Sequence, residues 1–318
     1  MDLKEMEIPK PEKLSEYLNP VNFTGRLVEL PAGLNPLADQ NVTIYAKIVW
    51  GNPILNGKLF PAYWMLKKAE EEGRLKGINT LVEATSGNMA VALAILARIF
   101  GIEHLIAIVP PNIARGKLSL LKFYGVEVVV ADNGIALAKQ MGSQPGRLNL
   151  WQYGNGDNPN GYYQFLAANI WEQTARQMTV FAAGLGTTGT IQGIARYLRE
   201  QKAKTLVLGV ITASGETIPG VRTDERLKEV DFDWRDLVDD TEHVGKDTAM
   251  RSSLGLSRIG IAAGPSSGFA LAGLRQFLDR RRAAGTLDQL RNDAGKVEAV
   301  FVCFDTPLPY LEDFDHYI

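Results

Sequence analysis

The sequence predicts an α/β protein whose sheets are mostly parallel. Three observations lead there: short β-branched runs without a polar face, helical runs between them, and glycine or turn residues at the junctions. "VTIYAKIVW" at 42–50 reads as a strand and "KLFPAYWMLKKAEEEG" at 58–73 as a helix closed by Gly73. "NTLVEAT" (79–85) is a strand, and "GNMAVALAILARIFG" (87–101) a helix ending at Gly101. "HLIAIVP", "KLSLLKFYG", "VEVVVAD" and "IALAKQMG" continue the alternation between 104 and 142. "GYYQFLAANIWEQTAR" (161–176) is a longer amphipathic helix, followed by the strand "TVFAAGL", the helix "TIQGIARYLREQ" and the strand "TLVLGVITA". Residues 213–262 break the rhythm, being charged and poor in long apolar runs, and read as an excursion over the surface or over a site. A helix returns at 266–285, its arginine run a solvated face, and "VEAVFVCFD" (297–305) is the final strand.

A chain of 318 residues can bury a substantial core in one large domain or two moderate ones. Apolar residues make up 46% and charged residues 22%, and the net charge is −2, so no electrostatic reason exists to expect nucleic acid or an anionic membrane as partner. The longest uncharged apolar run, "MAVALAILA" at 89–97, is too short to span a bilayer. The start, "MDLKEMEIPKPEKL", lacks the apolar core of a signal peptide, so a cytoplasmic protein is expected. The single cysteine, Cys303, excludes an internal disulfide, and its apolar surroundings suit a buried structural thiol. His104, His243 and His316 show no ligand spacing, and no metal site is expected.

Lys58 stands where a solvated helix face would not place a lysine, between the turn-forming "NPILNG" and the apolar Leu59 and Phe60. Three strand-to-helix junctions add to it. "EATSGNMA" (83–90) offers Thr85, Ser86 and Asn88 around a helix N-terminus, where free N–H groups and the dipole favour an anion; plain helix capping explains the same residues. "AAGLGTTGTIQG" (182–193) sets Gly184, Gly186 and Gly189 beside Thr187, Thr188 and Thr190, the chemistry of a phosphate cradle. It lacks the Gly-Lys-Ser/Thr ending of a nucleotide-binding loop and an acidic residue placed for a dinucleotide ribose. "AAGPSSGFALAG" (262–273) opens another helix with paired hydroxyls at Ser266 and Ser267. In open α/β sheets ligands gather at such carboxyl ends of strands.

In this order, Lys58, "TSGN" and "GLGTTGT" resemble the pyridoxal-phosphate enzymes of the cysteine synthase/tryptophan synthase β fold, in its cysteine synthase branch. The resemblance runs from "NFTGRLVEL" at 22 to "FDTPLPYL" at 304 and includes "QYGN" (152–155), "AGLGTTGTIQGIARYLRE" and "GPSSG". It implies two α/β units with open, twisted, mostly parallel sheets and pyridoxal 5'-phosphate in the cleft between them. The smaller, mobile, substrate-binding unit spans about 50–160; residues 1–49 and 161–318 form the larger, phosphate-binding one. A homodimer is implied as well.

By the same resemblance Lys58 is the lysine that bonds the cofactor, and apolar walls favour its neutral, nucleophilic form. Asn88 matches the partner of the cofactor's ring oxygen, Gly186, Thr187, Thr188, Gly189 and Thr190 the phosphate loop, and Ser266 the hydroxyl at the pyridine nitrogen. A hydroxyl there makes a weaker electron sink than a carboxylate would, which suits elimination at Cβ. Thr85, Ser86, Gly87 and Gln152 match groups that hold the substrate carboxylate. The implied reaction is β-replacement: Lys58 removes the Cα proton, the Cβ group leaves, and sulfide adds to give L-cysteine. The loop "SGETIPGVRTDE" carries Arg222, similar in offset to an arginine that binds the phosphate of O-phosphoserine; a surface arginine in a charged loop is the other reading. O-phosphoserine therefore stands slightly ahead of O-acetylserine.

The chain departs from the family pattern around this site. Asn56 stands for the serine two residues before the lysine, Leu59 and Phe60 for a polar pair after it, and "FDTPLPY" for a "PDSG"-like stretch. These changes leave open a lyase that releases a keto acid, or a cofactor-binding homologue whose catalysis has lapsed. The C-terminal Ile318 suits either an ordinary terminus or a tail that docks in an active site, as acetyltransferase tails do in this family.

Overall fold

A computed structural model describes residues 12–85 and 87–318; the first eleven residues of the charged N-terminal stretch and Ser86 lie outside them. Among the described residues ten strands form two sheets. Strands β1 (Arg26–Glu29), β2 (Val42–Ile48), β7 (Val180–Gly184), β8 (Leu206–Thr212), β9 (Asp240–Val244) and β10 (Val297–Cys303) make a six-stranded sheet ordered β1-β2-β10-β7-β8-β9. Strands β3 (Thr80–Ala84), β4 (His104–Val109), β5 (Glu127–Val130) and β6 (Arg147–Leu148) make a four-stranded sheet ordered β5-β4-β3-β6. Every pairing is parallel except β1 with β2. The expected α/β class with mostly parallel sheets is what the chain adopts.

The continuous apolar runs are explained by burial on both faces. In β10, Val297, Ala299, Phe301 and Cys303 enter one core cluster while Val300 and Val302 enter another on the opposite face. Cys303 is the buried thiol the sequence suggests, and burial pushes its pKa well up.

The helices that matter for the cleft are α1 (Leu59–Glu71), α2 (Asn88–Leu96), α3 (Arg115–Phe123), α4 (Gly134–Gly142), α5 (Asp157–Tyr162), α6 (Ala168–Gln173), α7 (Gly189–Glu200), α8 (Lys246–Arg258) and α9 (Pro265–Ala283). None of the helices among the described residues is long and apolar enough to cross a membrane. The expected single helix over 161–176 begins earlier and is interrupted: a π turn at Tyr163–Ala167 separates α5 from α6. The wider turn accompanies an aromatic cluster in which Phe165 meets Trp64 at 5.7 Å and Phe60 at 6.4 Å between ring centroids.

Residues 213–262 are not only an excursion, because β9 and α8 fold within them. Both are hard to read for a physical reason. β9 ("DTEHV") is an edge strand paired only with β8, so polar residues cost it little. α8 buries only the narrow stripe Ala249, Met250, Ser253 and Leu256. Strand β1 was likewise absent from the sequence reading; it is a four-residue edge strand.

α5 lies between α1 and α7, and it approaches both more closely than side chains allow. A Cβ at Gly161 would stand 2.6 Å from Phe60 O of α1, and one at Gly193 of α7 would stand 2.4 Å from Pro159 O of α5. The N-terminus of α1 carries Lys58 and that of α7 carries the glycine–threonine loop, so these two contacts set the spacing of the site's halves. Gly161→Ala and Gly193→Ala are each expected to destabilise the fold by about 1–3 kcal/mol through overpacking, read as a lower denaturation midpoint. A control at Gly285, where a Cβ would meet nothing within 4 Å but the backbone has φ +67°, is expected to lose less.

Candidate active site

One cavity of about 560 Å³ opens where the carboxyl ends of β3, β7 and β10 face one another. Lys58, Thr85, Asn88, Gln152, Gly186, Thr187, Thr188, Thr190, Arg222 and Ser266 all line it. Ser86 lies outside the described residues. Gly87 and Gly189 sit behind the wall: the Gly87 N–H donates to Thr85 Oγ1 at 3.0 Å, and Gly189 packs on Asn158, whose Oδ1 a Cβ would approach to 2.4 Å.

Lys58 is held at the entrance of α1 by a loop cross-linked through asparagine side chains. Asn56 Oδ1 accepts from the Lys58 N–H at 2.9 Å, and Asn52 Nδ2 donates to Val49 O and Asn56 O at 2.6 and 3.0 Å. The altered residue Asn56 is thus a turn-former. The half-buried Lys58 amine reaches to 3.4 Å from Thr187 Oγ1 and 5.5 Å from the centre of the Phe304 ring. Loss of solvation lowers its pKa to about 8, opposed by the nearby Glu83 carboxyl. Glu83, at the end of β3, is itself pushed up to about 8 by burial, against N–H groups of Gln152, Trp151 and Asn149 that favour its charge.

The loop from β7 into α7 packs backbone against backbone at the edge of the cavity. Gly186 passes so near Gly220 O that a Cβ would stand 2.2 Å away, and Thr188 takes a left-handed backbone with φ 63°. The first N–H groups of α7 have no helical partner and the dipole is positive there, which suits an anion. At the head of α9 the paired hydroxyls divide their work. Ser266 lines the cavity, whereas Ser267 is buried and its Oγ accepts from Phe304 N at 3.0 Å.

Gln152 Nε2 donates to Ala84 O at 2.7 Å, which fixes its side chain at the end of β3. Arg222 is no surface arginine: only 8% exposed, it lies over the Tyr153 ring at 4.5 Å and donates to Glu229 Oε2 and Arg226 O at 2.6 and 2.8 Å. Ile318 is 79% exposed and is not among the residues that line this cavity.

Sequence reading missed a buried polar cluster at the same cavity. Lys117 of α3 bonds Asn88 Oδ1 and lies 3.5 Å from Asp305 Oδ2, which also accepts from Asn88 Nδ2 at 2.8 Å and Tyr310 OH at 2.6 Å. A signal existed: Lys117 sits four residues before the buried Leu121, on the core stripe of α3.

A family model described as pyridoxal-phosphate dependent enzyme matches residues 26–289. The chain belongs to the pyridoxal-phosphate dependent enzymes. Cysteine synthase B of Pseudomonas aeruginosa is 35% identical to this pyridoxal-phosphate enzyme over 259 residues, spanning 78% of the chain and 83% of the relative. The N-(2-amino-2-carboxyethyl)-L-glutamate synthase of Cupriavidus metallidurans is 32% identical over 260 residues, 74% of each chain. Among solved structures, an O-acetylserine dependent cystathionine β-synthase from Helicobacter pylori matches with a TM-score of 0.81 at 22% identity, over 96% of this chain and 98% of that one. The protein is a cysteine synthase-like enzyme whose cofactor is pyridoxal phosphate. The residues present fit that group: an amine of lowered pKa at the cavity, and a threonine-lined helix N-terminus opening onto it.

A neutral amine is needed to capture the cofactor's aldehyde, and at pH 7 a lysine of pKa about 8 is roughly a tenth neutral. Covalent capture by cofactor-free protein, followed by visible absorbance, is expected to slow about tenfold per pH unit below 8 and to level off above it. Lys58→Ala should abolish it; a flat profile, or capture by that variant, would identify a different amine.

Proposed function

We propose that the chain catalyses β-replacement on an O-activated L-serine with sulfide to give L-cysteine, O-phosphoserine standing ahead of O-acetylserine. The observation that carries this reading is the meeting of Lys58, Asn88, Ser266, the 186–190 loop and Arg222 at one cavity. In this reading Lys58 bonds the cofactor, Asn88 donates to its ring oxygen, and Ser266 stands at its pyridine nitrogen. The N–H groups and threonine hydroxyls of Gly186–Thr190 hold its phosphate. Once bound, pyridoxal phosphate supplies an electron sink for the carbanion at the substrate Cα. The Lys58 amine takes the Cα proton, which its lowered pKa permits near neutral pH. Thr85 and Gln152 orient the substrate carboxylate, with Ser86 assigned to the same task. The Gly87 N–H is already given to Thr85, so Gly87 contributes shape. Residues 50–160 are assigned as the smaller, mobile unit, supported by a four-stranded sheet drawn wholly from 80–148.

Arg222 bears on the leaving group. Buried against Tyr153 and lining the cavity, it spends Nη1 on Glu229 and Arg226 O and keeps its other N–H groups for a phosphate. A second reading keeps the chemistry and changes the nucleophile to an amino acid. It is favoured by a cavity whose lining also includes Lys139, Arg226 and Asp231, charged groups that sulfide does not need. Mass spectrometry of products formed from O-phosphoserine with sulfide or with amino acids separates the two.

A charge-assisted hydrogen bond contributes about 1.5–3 kcal/mol. Arg222→Ala is therefore expected to cut kcat/KM for O-phosphoserine by roughly 10- to 100-fold, with a much smaller loss for O-acetylserine. Equal losses on the two esters would remove the phosphate assignment.

A further inference from the structure

The buried cluster behind Asn88 asks for a reason. Lys117 and Asp305 are each about 3% exposed, and one ammonium and one carboxylate withdrawn from water cost more desolvation than an apolar pair of the same volume. Burial lowers the Lys117 pKa, and the Asp305 charge opposes that fall. The surroundings are fitted to the cluster. Gly87, with φ +123°, leaves room that a Cβ would close to 2.9 Å from Lys117 Cδ. Tyr310 donates to Asp305 at 2.6 Å and lays its ring 4.6 Å from the Lys117 amine.

What the cluster does follows from what each group can offer. An asparagine amide has two orientations related by a flip, one presenting oxygen and the other nitrogen. An ammonium only donates and a carboxylate only accepts. Lys117 therefore holds Asn88 Oδ1, and Asp305 takes one hydrogen of Asn88 Nδ2. The flipped amide would set N–H against ammonium and oxygen against carboxylate. One Nδ2 hydrogen remains, with the Tyr310 oxygen and the cavity that Asn88 lines both beside it. The ammonium on Oδ1 also draws charge from the amide and makes that remaining N–H a better donor.

We infer that Lys117, with Asp305, is a positioning residue that locks the Asn88 amide so that it offers a donor to the cofactor's ring oxygen. This rests on the assignment of Asn88 to that oxygen made above. Lys117 acts through Asn88, so its effect must vanish when Asn88 is gone.

The test is a double-mutant cycle on the full chain, reading the Kd for pyridoxal phosphate by fluorescence titration and the position of the visible absorption band. Asn88→Ala and Lys117→Met are each expected to weaken binding by about tenfold and to shift the band. Lys117→Met added to Asn88→Ala is expected to change neither further. Lys117→Gln, neutral but still a donor to Oδ1, should retain part of the affinity, and it replaces the methionine variant in the cycle if that one fails to fold. Full additivity of the two losses would reduce Lys117 to a packing role and overturn the inference, as would an unchanged Kd and band in both Lys117 variants. No effect from Asn88→Ala would instead remove the Asn88 assignment itself, and the Lys117 inference with it.

Discussion

The end of strand β10 is the point to which the rest of the cleft is tied. Phe304 O accepts from Gly57 N at 2.8 Å and Asp305 pairs with Asn56, which fastens the Lys58 loop. Asp305 O accepts from Gly264 N at 2.8 Å and Phe304 N donates to Ser267 Oγ, which fastens the head of α9 and with it Ser266. The Asp305 carboxylate reaches the head of α2 through Asn88. Two residues thus align three segments distant in sequence, largely through backbone groups that no side-chain substitution can delete. The unusual "FDTPLPY" lies at this junction, so the departure from the family pattern changes the side chains of a fastening while its backbone bonds persist.

Three lysines sit in low-solvation surroundings, and each is satisfied differently. Lys47 on β2 donates to Gly25 O at 3.0 Å, to Gln173 Oε1 at 2.7 Å and to Asn169 Oδ1, all neutral acceptors, and burial pulls its pKa to about 7. It ties β2 to α6 on the side away from the chemistry. Lys117 is matched by a carboxylate and an amide oxygen, a closed arrangement. Lys58 has one long bond to a hydroxyl and an aromatic face, the least satisfied of the three. Unsatisfied donors are what a reactive amine needs and what a structural one cannot tolerate.

Much of this was legible in the sequence. The alternation of buried strands and helices announced the fold, because parallel strands covered on both faces leave unbroken apolar runs. Lys58, Asn88, Ser266 and the 186–190 loop, which meet at one cavity, stood out in the sequence only as a set, because capping explains each junction alone. What escaped had weak local signals: the polar edge strand β9, the narrow buried stripe of α8, and the four-residue β1. Lys117 and Asp305 escaped for another reason. They lie 188 positions apart, and only the folded chain brings them together. The burial of Arg222 was equally invisible, since its loop reads as charged and exposed until Tyr153 covers it.

The place of β10 in the six-stranded sheet has a consequence for how the protein is made. It lies between β2 and β7, and residues 297–303 pair with 42–48 on one side and from 180 onward on the other. A chain emerging from the ribosome can join β1 to β2 and β7 to β8 and β9, yet these two part-sheets stay separate, each with an open edge. The strand that closes both edges is the one that carries Phe304 and Asp305 into place. Placement of β10 and assembly of the cavity are therefore coupled, and a chain in which β10 is not yet paired keeps two open sheet edges and lacks the fastening of Lys58, Asn88 and Ser266.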